Sequence, residues 1–287
     1  MKTYPHLFTK LFCQPLILRD CERQTFERHL LSRMGNNSTV IMGAEIPKPK
    51  AQSVDDMAER QSRIYWRAAG SDVAVVHIDG VIDKRISEME MECYGGVDLL
   101  DVDAVLGQIA ADKTITRLVL DINSPGGSVV GVQETYDRIA KIAQTKEVHA
   151  YINCMACSGG YYLAGAADHI AAASSAIVGS IGVYIAILDA SKAAQMQGLN
   201  MQMIKAGEQK DTGSQWRPLT DAEKARLQAE VDAIHAQFKA AVTANREIDP
   251  AAMEGQWMNA EQGATLGLVD ELTGETLDEY VSRLLLT

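Results

Sequence analysis

The stretch RLVLDINSPGG, residues 117–127, decides the fold class of this chain. Its first six residues, Arg117 to Ile122, form a short, mostly apolar run that is typical of a buried strand. The run leads directly into an Asn-Ser-Pro-Gly-Gly turn signal at residues 123–127. Apolar residues at helical spacing follow from Val129 to Ile142. A strand, a tight turn and a helix in this order indicate one unit of an α/β protein.

The same order recurs on both sides of this unit. Runs over Val73–Ile78 and Val148–Ile152 predict two further buried strands, and helical patterns cover Val97–Ala111 and Gly159–Ala167. Strands that alternate with helices at this spacing are joined by right-handed crossovers into a largely parallel sheet. The fold class is therefore α/β.

Further strands and helices are predicted towards the C-terminus. Ile181–Leu188 and Met201–Ile204 are candidate strands. Thr220–Asn245 is a long helix whose start carries a capping-box pattern, a Thr followed three residues later by Glu223. A C-terminal helix is expected over Thr276–Leu286.

The first 60 residues differ in composition from the rest of the chain. Glu22–Met34 is charged with apolar residues at helical spacing, and residues 35–56 contain Gly, Asn, Ser and a Pro-Lys-Pro-Lys stretch. We therefore expect residues 1–60 to form a helical arm and linker, and residues 61–287 to form one domain. The arm packs on the body or on a partner, or it is a leader without a function.

Composition excludes several classes of function. Of the 287 residues 47% are hydrophobic, and 27 Lys and Arg against 38 Asp and Glu give a net charge of −11, which disfavours nucleic-acid binding. No apolar run approaches the roughly 20 residues of a membrane span. The N-terminus lacks the unbroken apolar core of a secretory signal, so we expect a cytoplasmic location. Five Cys, an odd number, predict reduced thiols, and we expect neither a metal nor a cofactor.

Two turns are candidate sites, because open α/β sheets place their sites at the carboxyl ends of strands. One is the turn at residues 123–127, and the other is NCMACSGG, residues 153–160. Amides at such glycine-rich helix starts stabilise an anion, such as a phosphate or the oxyanion of an acyl transfer. Ser158 stands where a nucleophile would stand. The alternative is that Ser158 only caps the following helix.

A serine nucleophile needs a base. None of the six His residues has acidic partners in a hydrolase order. A neutral lysine is the other candidate, and Lys205 and Lys210 follow an apolar run. The alternative for each is a solvated surface residue, which is the usual place of a lysine. Cys154 and Cys157 form a CxxC pattern, which leaves a redox site as a rival interpretation.

Residues from about Val73 to Leu272 resemble the S49 family of serine peptidases, the signal peptide peptidase A group, and within it the phage and prophage head-maturation members. The resemblance is carried by five segments in order: VAVVHIDGVI, DINSPGGSV, CMACSGGYYLAGAAD, VGSIGV and IKAGEQKDTGS. WRPLTDAEKARLQ and GLVDEL continue it. It implies a Clp protease/crotonase-like fold of ββα units with a largely parallel sheet, a helical N-terminal arm and C-terminal helices.

The resemblance also implies the roles of individual residues. Ser158 is the nucleophile, Lys210 is the general base, and Ser180 orients the lysine. Backbone amides of three glycines in the two turns form the oxyanion hole: Gly126, Gly127 and Gly159.

The implied function is that of a serine endopeptidase which cleaves phage head-assembly proteins (scaffold, portal or itself) during capsid maturation. The family implies a homo-oligomer whose active site is completed between subunits, acting in the host cytoplasm or the procapsid. The alternatives are a general cytosolic peptidase of the signal peptide peptidase A type and a catalytically silent head component with a crotonase fold. An acyl-CoA enzyme of the crotonase type is a further rival, and it would need neither Ser158 nor Lys210.

Overall fold

The computed structural model describes residues 16–18, 54–67, 70–86 and 95–286. The strands of these residues are Leu16–Leu18 (β1), Tyr65–Arg67 (β2), Val73–Asp79 (β3), Ile82–Asp83 (β4), Val97–Asp98 (β5), Arg117–Asn123 (β6), Gly126–Ser128 (β7), Glu147–Ile152 (β8), Met155–Cys157 (β9), His169–Ala172 (β10), Ile177–Gly179 (β11), Trp257–Asn259 (β12) and Glu271–Leu272 (β13). The helices are Val54–Ile64 (α1), Leu99–Ala111 (α2), Val132–Ala143 (α3), Gly159–Ala164 (α4), Ser191–Met196 (α5), Asp221–Val242 (α6), Ala260–Thr265 (α7) and Leu277–Leu284 (α8). The helix expected within residues 22–34 lies outside the described residues.

A six-stranded sheet in the order β13-β10-β8-β6-β3-β2 forms the centre of the fold. All its neighbouring strands are parallel except β2, which pairs antiparallel with β3 at one edge. β3 and β6 are in register over their whole length. Their side chains are buried on both faces over most of that length, which is why these strands read as apolar runs in the sequence. The prediction of a largely parallel α/β sheet is confirmed.

The chain repeats a strand, a second short strand and a helix. β6 is followed by β7 and α3, and β8 is followed by β9 and α4. The short strands leave the central sheet and join two small sheets, one in the order β1-β7-β4-β5 and one in the order β12-β11-β9. The predicted ββα units are therefore present, and each turn between a long and a short strand lies at the carboxyl end of the central sheet.

The long C-terminal helix begins where its capping box predicts. Thr220 precedes α6, its hydroxyl accepts a hydrogen bond from the Glu223 amide (3.2 Å), and the Glu223 carboxylate accepts one from the Thr220 amide (2.8 Å). Two of the first-turn amides are thus satisfied reciprocally. In the described part of the chain no helix is both long and apolar enough to cross a bilayer.

Two predicted strands are wrong. Residues 181–188 follow Gly179 and Ser180, whose φ angles of 98° and 54° end the extended conformation of β11. Residues 201–204 are exposed and form no strand, and none of the strands in the described residues pairs with them. Apolar residues alone predicted both strands, but a strand also needs a partner.

Helix α1 crosses residue 60, where the sequence predicts the boundary between arm and body. The Arg60 guanidinium donates to the carboxylates of Asp98 (3.0 Å) and Asp101 (2.7 Å) at the start of α2. These bonds attach α1 to the body of the protein.

Candidate active site

The structure brings the two predicted turns together. The Ser124 carbonyl accepts a hydrogen bond from the Cys157 amide (2.9 Å), and the Ser124 amide donates to the Met155 carbonyl (2.9 Å). A Cβ atom on Gly160 would lie 2.9 Å from the Ser124 oxygen, so this contact requires glycine. Helix α4, which starts at the second turn, also packs against β7 of the first turn.

Ser158 lies at the junction of β9 and α4 in an unusual backbone conformation. Its φ is 52° and its ψ is −117°, whereas a residue that caps a helix has an extended backbone. The side chain makes no capping hydrogen bond, and the residue is only 1% exposed. The interpretation of Ser158 as a helix cap is therefore wrong. A strained serine on a turn from strand to helix is typical of a nucleophile.

Ser180 lies beside Ser158 and shares its strain. β9 and β11 are parallel neighbours with Cys157 opposite Gly179, so the two serines leave adjacent strands at the same level. The Ser158 amide donates to the Gly179 carbonyl (2.8 Å), and the Ser180 amide donates to the Gln256 carbonyl (2.7 Å). Among the described residues other than glycine, only Arg85, Ser158 and Ser180 have a positive φ. Strain concentrated at one place indicates a functional site.

The glycines of the first turn have different environments. A Cβ atom on Gly127 would lie 1.8 Å from the Ile82 carbonyl oxygen, so β4 can approach β7 only because position 127 is glycine. Gly126 has a φ of 101°, and its amide donates to the Ser124 hydroxyl (3.1 Å). The Gly126 amide is therefore already engaged within the turn.

Ser124 is a residue of the site that the sequence analysis did not single out. Its side chain is fully buried, and its hydroxyl donates to the Gly80 carbonyl (2.6 Å) while accepting from Gly126. The available signal was a small hydroxyl residue before Pro-Gly-Gly, which is a common turn-forming pattern.

Lys210 and Ser158 are not bonded to each other within one chain. Lys210 lies in an exposed loop, and its side chain makes no ion pair or hydrogen bond with any described residue. Lys205, in contrast, donates to the Glu208 carbonyl (2.8 Å) and is paired with the Asp211 carboxylate. These contacts engage the Lys205 amine, whereas no described residue engages the Lys210 amine.

Arg217 fastens the lysine loop to helix α6. Its guanidinium donates to both oxygens of Asp211 (2.7 and 2.9 Å) and to both oxygens of Glu223 (2.6 and 2.8 Å). These bonds from Arg217 hold the pKa of each carboxyl well below its usual range, with help from Lys205 at Asp211 and from the Thr220 amide at Glu223. The arrangement, which we call the Arg217 clamp, was not predicted as a unit.

The loop before Lys210 exposes apolar side chains. Met196 and Ile204 are 89% and 99% exposed, and residues between them are about half exposed: Leu199, Met201 and Met203. We call residues 196–204 the exposed apolar segment. These residues include the apolar run that precedes Lys205 and Lys210 in the sequence, and one copy of the chain leaves their side chains in solvent.

The described residues give less support to a metal site or a redox site. No three of their His, Cys, Asp or Glu side chains are grouped so that they could hold a metal ion. Cys154 is exposed and Cys157 is buried, and the two are not joined as a disulfide.

Comparisons with known proteins show which family this chain resembles. The family model of peptidase family S49 matches residues 140–284, just over half of the chain, and this range contains Ser158, Ser180 and Lys210. The chain is 29% identical to capsid assembly protease C of Escherichia phage lambda, over 96% of this chain and 64% of that protein. It is 28% identical to the head-tail preconnector protein GP5 of Enterobacteria phage P21, over 93% of this chain and 54% of that protein.

The chain spans less than two thirds of the length of either phage protein. Among solved structures, an enoyl-CoA hydratase/isomerase family member aligns with a TM-score of 0.39 and 18% identity, over 77% of this chain and 72% of that one. The family match covers Ser158, Ser180 directly after β11, and the lysine loop together. The chain belongs to peptidase family S49.

Proposed function

We propose that this chain is a serine endopeptidase that uses Ser158 as nucleophile and Lys210 as general base. The observation that carries the proposal is the strained, buried Ser158 whose hydroxyl is not used to cap α4. The family match and the protease name of the lambda relative support the reaction class.

The chemistry follows from the groups available. The Ser158 oxygen attacks the carbonyl carbon of the scissile peptide bond while its proton passes to the neutral amine of Lys210. The C–N bond of the substrate then breaks, and the leaving amine takes this proton. Water repeats the same steps on the acyl-enzyme and releases Ser158.

The oxyanion of each tetrahedral intermediate needs hydrogen-bond donors. Of the three glycines implied by the family resemblance, Gly126 has its amide bonded to Ser124, so we assign the role to Gly127 and Gly159. The bonds between Ser124 and Cys157 support this assignment, because they hold the two glycine turns against each other.

In this proposal the general base of each active site comes from a second copy of the chain. A lysine accepts a proton near neutral pH only when burial lowers its pKa from the ordinary value of about 10.4. Lys210 is exposed in one copy and follows the exposed apolar segment, which a neighbouring subunit would cover. We therefore propose a homo-oligomer in which Ser158 of one subunit meets Lys210 of another, with Ser180 orienting the lysine.

The substrates we propose are phage head-assembly proteins, because both phage relatives are named for capsid or head assembly. Such a protease acts in the host cytoplasm or in the procapsid. There are two alternatives: a peptidase for general protein degradation, and a catalytically silent head component. The following experiment distinguishes both from this proposal.

The test uses a fluorophosphonate probe, casein and a phage scaffold protein, with cleavage products identified by mass spectrometry. We expect Ser158→Ala to abolish labelling and to lower cleavage by about 10⁴-fold or more. Lys210→Ala is expected to lower cleavage by about 10²–10⁴-fold, whereas Lys205→Ala retains activity within a few-fold. Ser62→Ala, on the exposed face of α1, is the control for the serine. Labelling at another serine, or full activity of Lys210→Ala, would contradict the dyad.

A further inference from the structure

Strand β7 of the proposed oxyanion turn is paired along both of its edges. On one edge β4 lies parallel to it, with Ile82 opposite Gly127. On the other edge lies the chain's own N-terminal segment, β1, which runs antiparallel to β7. The opposed residues are Leu16 and Ser128, Ile17 and Gly127, and Leu18 and Gly126.

The edge that β1 covers is the edge a substrate would need. A peptide that lies along β7 would bring its carbonyl groups close to the Gly127 amide, and β4 already occupies the opposite edge of β7, with Ile82 opposite Gly127. In the sheet order β1-β7-β4-β5, the position of β1 is therefore the place open to an added strand. Extended peptides commonly bind by adding a strand to such an edge.

The pairing of β1 with β7 is weak enough for another extended peptide to replace β1. β1 contains three residues and has β7 as its neighbour, and pairings this short are marginally stable. Residues 19–53 connect it to α1, and at about 3.3 Å per residue this length allows the segment to leave the edge and return.

We infer that this edge of β7 is the peptide-binding edge of the site, that it takes an extended peptide antiparallel to β7, and that Leu16–Leu18 is its resident occupant. A polypeptide substrate must displace this segment before it can be cleaved. The inference rests on the proposed function, in that it takes Gly127 as part of a peptidase site.

The test measures binding in the full-length Ser158→Ala chain, so that it does not depend on hydrolysis. The amides of alternate residues in an antiparallel strand face the partner. We therefore use two variants, the single substitution Ile17→Pro and the double substitution Leu16→Pro with Leu18→Pro. Together they remove every hydrogen bond that β1 can donate to β7. The probe is a fluorescent peptide of residues 14–20, QPLILRD.

At least one of the proline variants is expected to bind the probe about tenfold or more tightly than its parent, because a tethered competitor acts at millimolar effective concentration. Without the probe, hydrogen exchange of the amides in residues 124–130 is expected to become faster in the same variant. Asn36→Pro, in the connecting residues, is the matched control and is expected to behave as the parent.

Two results would overturn the inference: equal probe affinity in all variants, or unchanged exchange at residues 124–130. Failure of the proposed function has a different signature. If Ser158 is not the nucleophile, fluorophosphonate labelling fails in the chain that retains Ser158, while the effect of the prolines on probe binding persists.

Discussion

At the scale of single residues, the site depends on backbone conformations that only glycine adopts without cost. Ser158 and Ser180 have positive φ angles, and conformations of this kind cost about 1–3 kcal/mol each. The neighbouring hydrogen bonds to Gly179 and Gln256 hold them in place. The strained conformations of these two serines therefore lower the stability of the folded chain.

Because of this strain, we predict that a glycine at position 158 is more stable than an alanine, which is the reverse of the usual order. At an ordinary site alanine is more stable than glycine by about 0.5–1 kcal/mol. Here we expect Ser158→Gly to have a free energy of unfolding about 1 kcal/mol above that of Ser158→Ala, since alanine keeps the strained Cβ. Urea denaturation measures both. The same pair at Ser62, on helix α1, is expected to show the ordinary order, and an ordinary order at position 158 would contradict the strain.

The location of these residues could be predicted from the sequence, but their conformation could not. Glycines after Ser158 and a strand before it indicate a turn. The sign of its φ depends on the bond from its amide to Gly179, a residue 21 positions later, and on the pairing of β9 with β11. The engagement of the Gly126 amide by Ser124 is equally a product of the folded turn.

At the scale of secondary-structure elements, the Arg217 clamp connects the lysine loop to α6. One guanidinium bonds two buried carboxylates, and Glu223 also completes the capping box of the helix. The position of Lys210 therefore depends on a helix start that carries no catalytic group itself. Charge-assisted, bidentate bonds of this kind give geometric specificity as well as stability.

The clamp predicts a stability that depends on pH. The carboxyls of Asp211 and Glu223 have lower pKa values in the folded chain than in the unfolded chain. Their contribution is therefore complete above the unfolded pKa of about 4, and it is lost as pH falls below that value towards the folded pKa. We expect Arg217→Met to lower the melting temperature at pH 7 and to reduce the difference between pH 7 and pH 3.

The matched control for this prediction is Arg226→Met. Arg226 is exposed on the same helix and makes no ion pair with a described residue. It is expected to leave the melting temperature and its pH dependence unchanged. If both arginine variants lost the same stability at both pH values, the clamp would not be the cause.

Most elements could be predicted from apolar periodicity and caps alone. β3, β6 and β8 extend one residue beyond the predicted runs, and the capping box correctly marks the start of α6. The exceptions are residues 181–188 and 201–204, which are apolar in sequence but form no strand. A single sequence does not distinguish apolar residues that form the core from those that a second copy covers.

At the scale of the whole molecule, one chain has every part of the proposed site except a base in contact with its nucleophile. Ser158 is buried and Lys210 is exposed. If the dyad forms between copies, two inactive variants can repair each other. We expect an equal mixture of Ser158→Ala and Lys210→Ala, refolded together, to recover about a quarter of wild-type activity, because each working site needs one copy of each kind in one order.

A dyad within one chain would give no recovery in this mixture. Each variant refolded alone provides the baseline. Light scattering on the same samples is needed to establish that mixed oligomers have formed.

The exposed apolar segment predicts which surface the copies share. Ile204 is 99% exposed, and apolar side chains at the centre of an interface contribute most of the binding energy. We expect Ile204→Glu to reduce the oligomer by about tenfold or more in association constant, and cleavage to fall with it. Leu100→Glu, at an exposed apolar position on α2, is the control. Size-exclusion chromatography with light scattering measures the mass, and an unchanged mass for Ile204→Glu would contradict this surface.

The proposals make activity depend on two events, the displacement of β1 by a substrate and the association of copies. The pairing of β1 with β7 means that these two events respond differently to dilution. A strand on the same polypeptide as the edge it covers has a local concentration that is independent of how much protein is present. The rate of encounters between copies, in contrast, is proportional to the square of the protein concentration and therefore falls steeply on dilution. If the proposed peptidase forms its dyad between copies, we expect digestion of bystander proteins to be suppressed where copies are sparse and to increase where many copies gather together with their targets.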